Sequence, residues 1–86
     1  MIRWERIEIP AVRAGWIEWH LYSDREDLDG IWAIVAWRQA DGMVLGKQLD
    51  DPSQMDEEFE LDQYPGRTVE EVQKILEMSL TLDGVI

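Results

Sequence analysis

The stretch "IWAIVAWRQ" at residues 31–39 decides the fold of this chain. Its apolar side chains fall on both faces of an extended strand, with Ile31, Ala33, Val35 and Trp37 on one face and Trp32, Ile34 and Ala36 on the other. A strand that is apolar on both faces is buried on both faces. A single helix covers only one face of an open sheet. The second face therefore requires curling of the sheet, a second copy of the chain or another protein.

Four further segments around this strand also carry strand patterns, at residues 2–9, 15–22, 43–49 and 58–62. The first is rich in β-formers, and the second and last alternate apolar and polar residues, as a half-buried strand does. The third follows Asp41-Gly42, which is a strong hairpin signal. If these two residues form the turn, Trp37 faces Gly46, and an aromatic residue opposite a strand glycine is a stabilising pair.

The helix is predicted over residues 68–82. The sequence from Thr68 to Glu71 is a capping box, in which each side chain can bond the other residue's amide, and Asp83-Gly84 ends the helix. One helical face is predicted to pack on the sheet, and it carries Val69, Val72, Ile75, Leu76, Ser79 and Leu80.

These elements predict the α+β class, with an antiparallel four- to five-stranded β-meander and a single C-terminal α-helix packed on one face. A chain of 86 residues is expected to be one domain, residues 1–86. Its strands lie within residues 2–49, an acidic segment with an edge strand occupies 50–62, and the helix follows. The chain carries no apolar run long enough to cross a membrane and no signal peptide pattern. We therefore expect a cytoplasmic protein, in the host cell cytoplasm if a phage encodes it.

The net charge of −11 is the strongest signal in the composition. Residues 1–49 carry eight acids and six bases, whereas residues 50–86 carry eleven acids and two bases. Adaptation to high salt would acidify the whole surface, so the uneven distribution favours a polarised molecule. Such a surface repels nucleic acid and anionic membranes and attracts basic surfaces. We expect a basic, nucleic-acid-binding protein as partner, with no direct binding of nucleic acid or membrane.

The acidic charge is concentrated in "DDPSQMDEEFELD" at residues 50–62. One interpretation is a solvated edge that charge protects from aggregation. The other is a binding row, because alternate residues of an extended segment share a face about 6.6 Å apart, similar to the spacing of successive phosphates. The candidate partner-binding residues are Asp56, Glu57, Glu58, Glu60 and Asp62, with Trp16 or Trp37 as an apolar anchor.

The residues that carry most enzymatic chemistry are scarce. His20 is the single histidine, there is no cysteine, and the glycines form no phosphate-binding loop. The sequence therefore predicts no enzyme, no cofactor and no metal site. The segment at residues 23–30 fails the pattern of a calcium-binding EF-hand at its first and twelfth positions. It retains at most a weak divalent site at Asp24, Glu26, Asp27 and Asp29.

In size, acidity and lack of catalytic residues, the chain resembles the small inhibitors that phages and mobile elements make against host defence nucleases. These include anti-CRISPR proteins and nucleic-acid mimics, and immunity proteins that neutralise basic toxin nucleases are similar. The resemblance covers bulk properties and no motif, and it implies a stoichiometric inhibitor. The alternative is a structural or accessory subunit that homodimerises through a Trp-rich sheet face, since the chain has five tryptophans.

Overall fold

The computed structural model describes residues 2–8, 14–23, 30–49 and 61–84. Five antiparallel strands form one sheet in the order β1-β2-β3-β4-β5, and one helix follows them. The elements are β1 (Ile2–Ile7), β2 (Trp16–Ser23), β3 (Ala33–Arg38), β4 (Val44–Gln48), β5 (Asp62–Gln63) and α1 (Val69–Leu82). This arrangement confirms the predicted α+β meander with a C-terminal helix.

The central strand β3 is buried on both faces, as its sequence predicted. Ala33 and Val35 lie on the face that packs against α1, and Ile34 and Ala36 lie on the opposite face, which we call the far face. All four side chains have 0% exposure in a single copy of the chain. These four residues are therefore covered without a second copy, and the homodimer stays a prediction.

The helix packs on one face of the sheet and contacts mainly β4 and β3. Its buried residues are Val72, Leu76 and Leu80, as the helical face predicted. Two polar contacts fix its position across the sheet. Trp4 Nε1 in β1 donates to Glu77 Oε1 at 2.7 Å, and Ser79 Oγ donates to Gln48 Oε1 in β4 at 2.6 Å.

Both predicted helix ends are confirmed. The Thr68 hydroxyl accepts from the Glu71 amide, and the Glu71 carboxylate accepts from the Thr68 amide, each at 3.1 Å. The Thr68 amide, followed by the Arg67 guanidinium, lowers the pKa of Glu71. At the other end Asp83 is the C-cap, and Gly84 adopts a φ of 75°. The predicted packing of Ile75 is wrong, because its side chain is 38% exposed at the margin of the packed face.

The predicted register of the β3–β4 hairpin is also wrong. Gly46 pairs with Val35 and not with Trp37, which pairs with Val44. The turn contains four residues, 39–42, because the Arg38 amide bonds the Met43 carbonyl. The shift is two residues, so every side chain stays on its predicted face.

The glycine of β4 allows the helix to approach the sheet. A Cβ atom on Gly46 would lie 2.7 Å from Val72 Cγ1, closer than atoms can pack, and 3.3 Å from Tyr64 Cε2, a tight contact. Gly46 thus lies directly beneath α1, where a larger residue would prevent the helix from packing this close to the sheet.

We expect Gly46→Ala to lower the free energy of unfolding by about 1–3 kcal/mol, because the added methyl overpacks this contact. Urea denaturation followed by tryptophan fluorescence measures the loss. In Gly46→Ala/Val72→Ala the valine methyls are removed, so the loss should be smaller than the sum of the two single losses. Strictly additive losses would contradict close contact at this position.

The last strand is shorter than predicted and shifted along the chain. β5 pairs Asp62 with Gly46 and Gln63 with Leu45, whereas the sequence predicted a strand over residues 58–62. Residues 58–60 lie outside the described residues.

The described part of the chain contains no helix with the length and apolarity to cross a membrane.

Candidate partner-binding surfaces

Of the acidic row predicted from the sequence, Asp62 is the residue that the structure describes. Asp62 lies exposed in β5, opposite Gly46 and so on the helix side of the sheet. Burial, followed by the Asp62 carboxylate, raises the pKa of Tyr64, and both side chains line the same groove. The other predicted acids, Asp56, Glu57, Glu58 and Glu60, lie outside the described residues.

Trp16, one of the two predicted apolar anchors, lies half-buried at the start of β2 on the far face. The Arg38 guanidinium lies over its ring at 5.1 Å from the centroid, within the distance of about 6 Å at which a cation is attracted to a ring. Arg38 Nε also donates to Asp41 Oδ1 at 2.8 Å. The Arg38 hydrogen bonds, followed by the Met43 amide, lower the pKa of Asp41 to about 2. One face of the Trp16 ring is therefore occupied within the chain.

Trp37, the other predicted anchor, lies half-buried on the helix side of β3 and packs against the core. Successive β2–β3 partners place it opposite Ile17, whereas Trp16 is opposite Arg38. The two tryptophans thus occupy opposite faces of the sheet. The structure does not gather Trp16, Trp37 and Asp62 into one site.

The positive charge of the described residues is largely compensated where it lies. All four described arginines lie within ion-pairing distance of a carboxylate: Arg3 with Glu5, Arg6 with Glu8, Arg38 with Asp41 and Arg67 with Glu71. Arg3 and Arg6 also lie over the rings of Tyr22 and Trp19, at 5.0 and 5.8 Å from the centroids. These arginines are held by acids and aromatic rings of the same chain.

A buried polar pair lies on the far face. His20 Nε2 is 2.9 Å from Glu18 Oε1, and the two residues are 7% and 3% exposed. His20 Nδ1 has no hydrogen-bond partner among the described residues. Within that part of the chain no three histidine or acidic side chains are grouped to hold a metal ion. The weak divalent site considered at residues 24–29 lies outside it.

A groove of about 380 Å³ runs between α1 and the β4–β5 edge of the sheet. It is lined by Lys47, Gln48, Asp62, Tyr64, Ile75, Leu76, Ser79 and Asp83. Gln48 crosses this groove, because its amide donates to Asp83 Oδ2 at 2.8 Å and accepts from Ser79. The groove therefore combines an apolar wall with two exposed carboxylates and one lysine.

The helix carries an exposed apolar stripe beside this groove, formed by Ile75, Met78 and Leu82. Their exposed fractions are 38%, 65% and 84%. The stripe was not predicted from the sequence. The available signal was the spacing i, i+3, i+7, which forms a second apolar line beside the buried one.

No family model matches the chain, and neither the curated proteins nor the solved structures contain a significant match to it.

Proposed function

We propose that this protein is a small acidic binding module that inhibits a basic nucleic-acid-handling protein stoichiometrically, by charge mimicry. The observation that carries the proposal is the distribution of charge. The described arginines are compensated by carboxylates of the same chain, while the whole chain keeps a net charge of −11. The excess acid is thus available to a partner.

An acidic surface of this kind competes with nucleic acid for the same groove. Nucleic-acid-binding proteins present clustered lysines and arginines that neutralise phosphates. Carboxylates along residues 56–62 offer those bases an alternative set of anions. Complementary charge also raises the association rate of the two proteins. This mode of inhibition needs no catalytic group in the inhibitor, and it fits the phage anti-defence or immunity class suggested by the composition.

The partner can be sought with the tagged chain as bait in lysate of the source cell or its host. Stepwise salt elution and mass spectrometry identify what is held by charge. Capture of a protein does not by itself support the proposal. The purified partner also has to bind nucleic acid, and the chain has to displace that nucleic acid at a one-to-one ratio. Recovery of the chain alone, or of an acidic partner that resists salt, would contradict the proposal.

Changing Glu58, Glu60 and Asp62 together to Lys is expected to weaken binding to that partner roughly a hundredfold or more, because attraction becomes repulsion. Isothermal titration calorimetry at several salt concentrations measures the change. Circular dichroism establishes that the variant remains folded.

The matched control is Glu5→Lys/Glu8→Lys, which reverses two exposed charges at β1, the opposite edge of the sheet. It alters net charge in the same direction but leaves the acidic row intact, so it should weaken binding much less. Equal losses in both variants would indicate a general charge effect. Unchanged binding in the triple variant would overturn the assignment of the row.

A further inference from the structure

The exposed apolar stripe on α1 has no role in the packing of the described fold. Among the described residues, the large apolar side chains that are exposed are Ile75, Met78 and Leu82, and all three belong to the stripe. Scattered single apolar residues on a surface are ordinary, whereas a contiguous set indicates an interaction site. Methionine also adapts its shape to different partners.

The stripe lies on the flank of α1 that faces the β4–β5 edge. Ser79, which bonds Gln48 in β4, lies one residue beyond Met78, whereas Glu77 on the other flank reaches β1 through Trp4. Ile75 also lines the groove between α1 and this edge. Stripe and groove therefore form one continuous surface.

The spacing of the stripe is suited to a helical occupant. Residues at i, i+3 and i+7 form a ridge that packs into the grooves of a second helix, as in two-helix seams. Peptide helices that dock in apolar grooves use the same set of anchors. A ridge of about two turns is long enough to seat a partner helix beside it.

Negative charge at the C-terminal end of the stripe favours a basic partner helix. The last turn of α1 has no basic residue, and its C-cap is Asp83. The C-terminal end of a helix carries partial negative charge and is stabilised by a nearby cation. Asp62 adds a second exposed carboxylate to the same groove, so its two acids outnumber the one base that lines it, Lys47. A second copy of the chain would bring another net charge of −11 to this surface, so charge disfavours it.

We propose that the stripe and groove receive a basic amphipathic helix of the partner protein. The apolar side chains of that helix pack on Ile75, Met78 and Leu82, and a lysine or arginine lies against Asp83 and Asp62. The inference rests on the proposed function and adds to it the docking surface and the form of the docked segment. The acidic row steers the partner, and the stripe provides the apolar contact.

The test uses a synthetic helical peptide with leucines on one face and lysines on the other, together with a scrambled peptide of the same composition. We expect the patterned peptide to bind the full chain more tightly than the scrambled one. In a ¹⁵N NMR titration the shifts should concentrate on residues 75–83, with smaller changes at Gln48 and Asp62. Met78→Ser/Leu82→Ser should weaken binding roughly tenfold or more.

Thr81→Ala is the control, because Thr81 is exposed in the same turn and borders the stripe but adds no large apolar side chain to it. It should change peptide affinity far less than Met78→Ser/Leu82→Ser does. Undetectable binding of the patterned peptide, equal binding of both peptides, or equal affinity for the Ser variant would overturn the docking surface. Self-association that Met78→Ser/Leu82→Ser abolishes would also overturn it, in favour of a second copy.

These outcomes are separable from failure of the proposed function. The stripe variants leave every carboxylate in place, and the reversal of Glu58, Glu60 and Asp62 leaves every stripe residue in place. If only the charge reversal weakens binding to the partner, charge mimicry stands without the docked helix. If neither change weakens it, both proposals fail.

Discussion

Replacing Glu18 with leucine is expected to lower the free energy of unfolding by about 3 kcal/mol, the upper end of the cost of an unsatisfied buried polar group. The reason lies in His20, which is 7% exposed and is 2.9 Å from the Glu18 carboxylate through Nε2. Its Nδ1 already has no hydrogen-bond partner among the described residues. Loss of Glu18 removes the contact that the structure gives to Nε2.

Replacing both residues with leucine should restore part of this loss, because the double variant leaves no imidazole without a partner in the far face. Exchange of a buried polar pair for apolar residues of similar volume is often neutral or stabilising, whereas removal of one member is costly. Urea denaturation of the wild-type chain, Glu18→Leu and Glu18→Leu/His20→Leu measures the coupling between the two residues. A double variant no more stable than Glu18→Leu would contradict the coupling between Glu18 and His20.

The pair also bears on function, because buried polar pairs are often taken as catalytic candidates. Here both residues lie inside the far face between β1 and β3, with Glu18 opposite Ala36 and His20 opposite Ile34. Those two partners have 0% exposure. A substrate would have to enter a packed face to reach the pair. Its position therefore fits a structural role in specifying the sheet.

The fold was predictable because its signals are local. The two-sided apolar pattern of β3 predicted burial on both faces, and the capping box at Thr68 predicted where α1 begins. Each depends on side-chain period or on contacts within a few residues. Neither depends on knowing which distant element packs against it.

The hairpin register was not predictable from Asp41-Gly42 alone. In the structure Asp41 accepts from the Arg38 side chain and from the Met43 amide at 3.1 Å, which closes a four-residue turn. Four-residue turns and two-residue turns share the same favoured residues. A side-chain contact across the turn decides between them, and sequence pattern does not contain that contact.

The candidate surface was predictable in its charge and not in its shape. Composition identified the acidic half, and the prediction for Asp56, Glu57, Glu58 and Glu60 remains a prediction. The exposed stripe depends on the rotation of α1 about its own axis. That rotation buries Val72, Leu76 and Leu80 and is also held by hydrogen bonds between Glu77 and Trp4 and between Ser79 and Gln48. Such long-range bonds cannot be read from helical spacing, which assigned Ile75 to the core.

The second prediction compares one substitution, leucine to alanine, on the buried face and on the exposed face of α1. Leu80→Ala is expected to lower the free energy of unfolding by about 2–5 kcal/mol, because Leu80 has 0% exposure within the core cluster and its truncation leaves a cavity. The whole free energy of unfolding of a small domain is about 5–15 kcal/mol. The variant should therefore be strongly destabilised in thermal and urea denaturation.

Leu82→Ala is the matched control, because it makes the same truncation two residues further along the same helix at a side chain that is 84% exposed. Its stability should stay within about 0.5 kcal/mol of the wild-type value. Equal losses at both positions would contradict the orientation of α1 and with it the exposed stripe. A loss confined to Leu80 would mean that Leu82 contributes little to folding, which leaves its apolar surface available for a partner.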